Sequence, residues 1–194
     1  GVKALVIACN SASSAVLRDA RERYDVPILE VILPAARRAL AASNSGRVGV
    51  VCTEATAMSR SYDDAFAVAG DVQLTTQACP RFVEFVEAGI TGGEELLGVA
   101  REYLAPLQVA GIDTLILGCT HYPLLKPLLQ QEAPQLQLVD SALTTAEAVA
   151  QALQAEGLLN DGTGQTADYR FYVSDIPLRF QTIGERFLGR SLEQ

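Results

Sequence analysis

Residues 1–10, GVKALVIACN, and residues 111–120, GIDTLILGCT, carry one pattern, and no other feature constrains the fold as strongly. Both open on Gly, follow it with a β-branched residue, place Leu fifth and reach Cys ninth. Between Leu and Cys lies a short apolar run, Leu5-Val6-Ile7-Ala8 in one copy and Leu115-Ile116-Leu117-Gly118 in the other. Such a run, bounded by polar residues, reads as a strand buried on both faces, the kind found in parallel sheets. Each run ends at a thiol, Cys9 or Cys119, with hydrogen-bonding residues directly after it, Asn10-Ser11 or Thr120-His121. In open parallel sheets ligands sit outside the carboxyl ends of the strands. Two matched strands therefore deliver two thiols and two polar clusters to ligand-binding edges.

The remaining chain alternates helices with strands. Residues 11–24 read as a helix that Asn10 or Ser11 can cap, with Val16, Leu17 and Ala20 as its apolar face. Strands are expected over residues 26–32, 47–52, 72–78, 136–139 and 170–173. Helices are expected over residues 35–42 after Pro34, from Thr53 to about Ala69, and over 81–88, where Phe82, Val83 and Val86 form the buried stripe. Further helices are expected over residues 94–109, with Pro106 bending or ending it, then 123–132, 141–156 and 177–188. Thr144 with Glu147 fits a capping box, Gly157 a helix stop, and residues 160–165 a Gly-rich turn too irregular for a phosphate loop. This alternation predicts an α/β protein with mainly parallel sheets. Cys9, helix and next strand match Cys119, helix and next strand. That predicts two similar α/β units about a pseudo-twofold axis, with the two Cys on opposite walls of one cleft. The first unit is expected to hold residues 1–32 and 141–194, the second residues 33–140.

The chain has 194 residues, 49% of them hydrophobic, which suits one large or two small α/β domains with a sizeable core. A net charge of −8 with no basic block argues against a nucleic-acid partner. No apolar run approaches the roughly 20 residues that span a membrane. No basic lead-in marks a secretory signal. The 4 Cys include no C-x-x-C pair, which favours a reduced, cytoplasmic protein with free thiols, although pairing of Cys9 with Cys119 stays open at this level. A strand at residue 4 with no Met, cap or linker before it reads as a chain cut from a longer one.

A cleft with a thiol on each wall suits stereoinversion at a tetrahedral carbon. One thiolate removes a proton from one face and the opposite thiol returns one to the other, which is general acid–base catalysis. Helix N-termini lower thiol pKa values, and both Cys9 and Cys119 are expected there. The same N-termini, with Asn10, Ser11, Thr53, Thr56 and Thr120, can hold carboxylates. Cys9, Cys119 and His121 fall short of four zinc ligands and match no zinc spacing, so no metal is expected.

ACNSAS around Cys9, TEAT at residues 53–56, CPRFVEFVEAG at 79–89 and LGCTHYPLL at 117–125 resemble the glutamate racemase family, as does the tail SDIPLRFQTIGERFLG. The resemblance spans nearly the whole chain, and LGCTHYPLL is its most specific part. It implies a cofactor-independent, two-base interconversion of L- and D-glutamate that supplies D-glutamate for peptidoglycan. It also implies two α/β domains with the site between them. By this resemblance Cys9 acts on the D-enantiomer and Cys119 on the L-enantiomer. Asn10, Ser11, Thr56 and Thr120 fall on substrate-binding positions, His121 on the residue that assists the second Cys, and Glu87 on its carboxylate partner. Glutamate is the expected small-molecule substrate, and a homo-oligomer, a dimer, is the expected assembly.

The chain departs from the family pattern in places. Neither D-S-G-x-G-G nor P-Y-G occurs; both would precede Gly1, and a chain starting there is expected to be poorly active alone. Ser11 stands where Thr is usual, and Cys52 where Gly is usual before Thr53. Alone, each Cys reads as a small core residue, His121 as a satisfied core-edge histidine, Glu87 as a solvated helix residue and Asn10 as a cap. The repeat and the resemblance together favour the catalytic reading for Cys9 and Cys119, while Cys52 and Cys79 read as structural. Two other functions stay open: a related enzyme acting on aspartate, hydantoins or maleate, and a non-catalytic binding protein.

Overall fold

The computed structural model describes residues 1–160, 162, 167–174 and 177–192. They form two compact units, Gly1–Leu158 and Leu159–Gln194.

The first unit holds two parallel sheets. The smaller pairs β1 (Leu5–Ile7) with β2 (Ile28–Glu30) through the intervening helix α1 (Asn10–Arg23). The larger contains β3 (Arg47–Cys52), β4 (Gln73–Ala78), β5 (Thr114–Gly118) and β6 (Gln137–Asp140), in the order β4-β3-β5-β6. All its pairings are parallel. This is the expected α/β class, and the β1-α1-β2 unit has the same parallel logic as β5, helix and β6.

Alternation along β3 and β5 feeds two cores, one on each face of the larger sheet. Val51, Leu115 and Leu117 point to one face. There α5 (Pro80–Glu87) and α6 (Glu94–Val109) add Phe82, Phe85, Val86, Leu96 and Leu104, and α7 (Lys126–Glu132) adds Leu129. Val48, Val50, Cys52 and Ile116 point to the other. They meet Ala35, Ala36 and Ala39 of α2 (Ile32–Ala42) and Tyr62 and Phe66 of α4 (Ser61–Phe66). Short alanines on α2 let that helix lie close to the sheet. Helix α8 (Ser141–Ala155) follows β6 and packs on α2 and β2. The stripe on α5 is Phe82, Phe85 and Val86, with Val83 only half-buried.

Several local expectations are corrected. β5 is buried throughout, but β1 is not, and Val6 is 44% exposed. β5 lies between β3 and β6, whereas β1 has β2 as its one described neighbour. β2 is shorter than the 26–32 run, because Glu30 turns its carboxylate onto the N–H groups of Ile32 and Leu33 at 2.6 and 2.8 Å and starts α2 there. Val16 of α1 faces solvent. The helix expected from Thr53 to Ala69 is two, α3 (Glu54–Ser59) and α4, because Arg60 adopts a left-handed conformation at φ 55°. Residues 123–132 divide into a 3-10 turn, Tyr122–Leu125, and α7. The cap of α8 is Asp140, which accepts from the Ala142 and Leu143 N–H groups; Thr144 instead donates to the Ser141 carbonyl. Gly157 takes the left-handed conformation just past α8, as expected of a helix stop. Pro106 lies inside α6 without ending it.

The second unit contains α9 (Pro177–Leu188), as expected. Residues 170–173 form no strand. Phe171 lies 6.5 Å from Phe180 by ring centroid, and the Arg190 guanidinium stacks over Tyr169 at 5.1 Å. The Gly-rich turn at 160–165 falls largely outside the described residues.

Candidate active site

Parallel strands end on one side of a sheet, and the chain leaving them forms that rim. β3 ends at Cys52 and continues as Thr53; β5 ends at Gly118 and continues as Cys119, and Cys52 and Gly118 are paired neighbours. In the smaller sheet β1 leads through Ala8 to Cys9 at the N-terminus of α1. Helices α1 and α3 touch, which brings the two sheets' rims together.

The contact is made by hydroxyls. Ser11 Oγ lies 2.8 Å from Thr53 Oγ1 and 3.1 Å from Thr56 Oγ1, and the two threonine oxygens are 3.1 Å apart. Thr53 also caps α3, accepting from the Thr56 N–H. Asn10 is not the cap expected of it: it is the first residue of α1, and its Oδ1 accepts a 2.8 Å hydrogen bond from the Tyr62 hydroxyl. The N-cap residue of α1 is Cys9, which makes no side-chain cap hydrogen bond. Among the described residues, Asn10 Nδ2 is the one buried side-chain nitrogen or oxygen with no hydrogen-bond partner.

A second cluster surrounds Cys119. His121 Nδ1 lies 3.8 Å from the Cys119 sulfur and 3.2 Å from Thr120 Oγ1. On the other side of the ring, Nε2 lies 3.3 Å from Glu87 Oε1. Glu87 is the last residue of α5, so the partnership joins that helix to the loop after β5. The loop is held further by Tyr122, whose hydroxyl donates to the carbonyls of Cys52 and Cys79. Tyr62 and Tyr122 are the residues that the sequence reading missed. Tyr122 sat in the motif THYPLL without a role, and Tyr62 was hidden inside one supposedly continuous helix.

All four cysteines are free thiols; Cys9 is exposed and the other three are buried. Cys119 corrects the expectation of a lowered pKa. Burial pushes its thiol up, the charge of Cys9 adds to this, and the opposing N–H groups of His121 and Tyr122 and the Thr120 side chain do not outweigh them. Cys9 and Cys119 are thus electrostatic neighbours. Burial pushes Cys52 up to about 12 and Cys79 up as well, which suits inert core thiols. No group of three or more His, Cys, Asp or Glu among the described residues is placed to hold a metal ion. None of the described helices is long and apolar enough to cross a membrane.

Every site residue expected from sequence lies in, or directly next in the chain to, one of these two clusters. Ser11, Thr53 and Thr56 make the first, with Cys9 and Asn10 directly before Ser11 at the start of α1; Cys119, Thr120, His121 and Glu87 make the second. Chemically the arrangement offers two thiols, a base next to one of them, and a set of hydroxyl, amide and backbone donors for anionic groups.

Comparison with known proteins gives matching results. The family model described as Asp/Glu/Hydantoin racemase matches residues 1–149. Glutamate racemase from Saccharopolyspora erythraea is 55% identical over 193 residues, 99% of this chain and 71% of that protein. The crystal structure of glutamate racemase from Francisella tularensis in complex with D-glutamate has a TM-score of 0.89 at 34% identity, covering 99% of this chain and 72% of that one. The Thermus thermophilus glutamate racemase, in complex with β-chloro-D-alanine, has a TM-score of 0.83 at 42% identity, covering 100% and 71%.

Proposed function

The chain belongs to the Asp/Glu/hydantoin racemase family, and we propose that it interconverts L- and D-glutamate with Cys9 and Cys119 as the two bases. The observation that carries this is the pair of thiols, each just past the carboxyl end of a parallel strand, on two sheet rims joined by the Ser11–Thr53–Thr56 hydroxyl contact. As the resemblance to glutamate racemases implies, the D-glutamate so made supplies peptidoglycan.

Inversion requires the α-proton to leave from one face and a new proton to arrive at the other. The α-carbon is a weak acid, so its carboxylate must be held by donors while the base works. Asn10 Nδ2, the hydroxyls of Ser11, Thr53, Thr56 and Thr120, and the first-turn N–H groups of α1 supply such donors. A buried thiol holds its proton tightly and needs help to ionise. When Glu87 accepts from His121 Nε2–H, the neutral ring presents Nδ1 as an acceptor to Cys119. The thiol proton passes to Nδ1, the thiolate takes the α-proton, and Cys9 delivers its own proton to the opposite face. In the reverse direction Cys9 is the base and Cys119 the acid.

Three further readings belong to this proposal. As domains about the cleft, distinct from the two compact units of the fold, the chain is read as residues 1–32 with 141–194, and residues 33–140; in support, both strands of the smaller sheet lie in the first range and all four of the larger in the second. A cytoplasmic setting suits four free thiols. A homodimer rests on the family resemblance, and sizing in solution tests it.

The test is substitution of each thiol. Cys9→Ala and Cys119→Ala are each expected to abolish inversion in both directions, since each thiol serves once as base and once as acid per cycle. Sustained turnover by either variant would mean that another residue supplies that proton.

A further inference from the structure

Asn10 carries an amide with two unlike ends, and only one of them is engaged. Its Oδ1 accepts from the Tyr62 hydroxyl at 2.8 Å, and its Nδ2 is buried without a partner. We propose that Tyr62 is a positioning residue for substrate recognition: its O–H holds the Asn10 amide in the one orientation that offers Nδ2–H to the substrate carboxylate. This rests on the reading of Asn10 as a substrate-binding residue.

The orientation follows from what a buried phenol requires. A hydroxyl left without an acceptor in the interior costs its full desolvation. The Asn10 oxygen is the acceptor that the structure supplies to Tyr62. Turning the amide over would put Nδ2 against the phenol oxygen, strand the O–H, and present Oδ1 to an incoming carboxylate. Two acceptors would then face each other where a donor is needed. A phenol that ionised could not act as donor, but burial raises the Tyr62 pKa well above its ordinary value, and nearby Cys52, Glu30 and Cys119 raise it further.

Tyr62 is also well fixed. Its side chain is 2% exposed and packs in the core formed by α2, β3 and β5. Its ring edge lies close enough to Gly118 that a Cβ there would come within 3.2 Å of Cε2. The left-handed Arg60 ends α3 and restarts the chain as α4, so Thr56 can serve the hydroxyl cluster while Tyr62, six residues on, turns inward to Asn10. In a single continuous helix six residues at about 100° each would fix these two side chains about 120° apart around the axis, with no freedom to adjust either. The break uncouples them.

The experiment measures kcat and KM for both enantiomers in the wild-type enzyme, Tyr62→Phe, Asn10→Ala and the double variant. Tyr62→Phe removes one oxygen and keeps the ring. Asn10→Ala is expected to raise KM about tenfold and Tyr62→Phe about three- to tenfold, and kcat is expected to fall as well, more in Asn10→Ala, because the same contact holds the carboxylate while the base works. The double variant is expected to be no worse than Asn10→Ala, because Tyr62 acts through Asn10. An unchanged KM in Tyr62→Phe beside a raised KM in Asn10→Ala overturns the proposal, as does full additivity in the double variant. An unchanged KM in Asn10→Ala instead sinks the assignment of Asn10 as a substrate ligand, and this inference with it. A second measurement needs no variant to fold. In the wild-type enzyme with 15N-labelled asparagine, the Asn10 side-chain amide resonances are expected to move when D-glutamate is added. No movement under saturating D-glutamate overturns the proposal.

Discussion

Gly118→Ala isolates the cost of a single methyl group beside the site. In the sequence repeat Gly118 stands opposite Ala8, so by pattern the substitution only makes the two copies more alike. The structure predicts otherwise. A Cβ at Gly118 would meet the Val51 carbonyl oxygen at 3.0 Å, Val50 Cγ2 at 3.1 Å and Tyr62 Cε2 at 3.2 Å. All three neighbours are in the core, and one is backbone of the adjacent strand. Relief requires β5 to withdraw from β3 by about 0.4 Å, and Cys119 is the next residue. Overpacking of this kind costs about 2 kcal/mol, or about 4–8 °C in melting temperature for a chain of this size. A misplacement of 1 Å can cost on the order of a hundredfold in rate, so about 0.4 Å corresponds to roughly a fivefold to tenfold fall in kcat. Thermal unfolding followed by circular dichroism and initial rates in both directions measure the two effects. Wild-type stability together with wild-type turnover would refute the claim that this contact sets the position of the second thiol.

Cys52→Ala and Cys79→Ala are expected to keep most of the turnover and to lose roughly 1–2 kcal/mol each in stability, because both side chains are fully buried in the cores; a thermal melt and a rate assay on each variant check this. The pH dependence follows from the raised pKa of Cys119. A thiol with a raised pKa is protonated at neutral pH and gains its basic form only as pH rises. kcat/KM for L-glutamate, the enantiomer assigned to Cys119, should therefore still be climbing at the ordinary thiol value of 9.0; a plateau well below it would contradict the assignment.

Much of this was legible in the chain because it depended on neighbours in sequence. The run from Leu115 to Gly118, the thiol after it and the following His121 are adjacent residues, and their strand and rim positions follow from local pattern. What the sequence did not disclose depended on contacts across the fold. Whether an apolar run is buried depends on the strands beside it, so β1 and β5 share a pattern but not an environment. Asn10 looked like a helix cap because nothing local showed Tyr62, 52 positions away, waiting for its oxygen. The break at Arg60 has no Gly or Pro to announce it; an ordinary residue takes the left-handed conformation there. The raised pKa of Cys119 comes from burial by distant side chains, which outweighs the local N–H groups that sequence reasoning relied on.

The central claim, that separate residues act on the two faces of the α-carbon, is tested most directly by isotope placement early in the reaction. Either enantiomer of glutamate is incubated with the enzyme in deuterated water, and substrate and product are recovered after a small fraction of turnover. A thiol carries one proton, so a two-thiol path returns the original hydrogen to unreacted substrate and delivers solvent deuterium to product. The account predicts α-deuterium in essentially all of the product and almost none in the recovered substrate, in both directions. Deuterium appearing equally in recovered substrate and product would contradict it, and would assign both faces to one exchanging base.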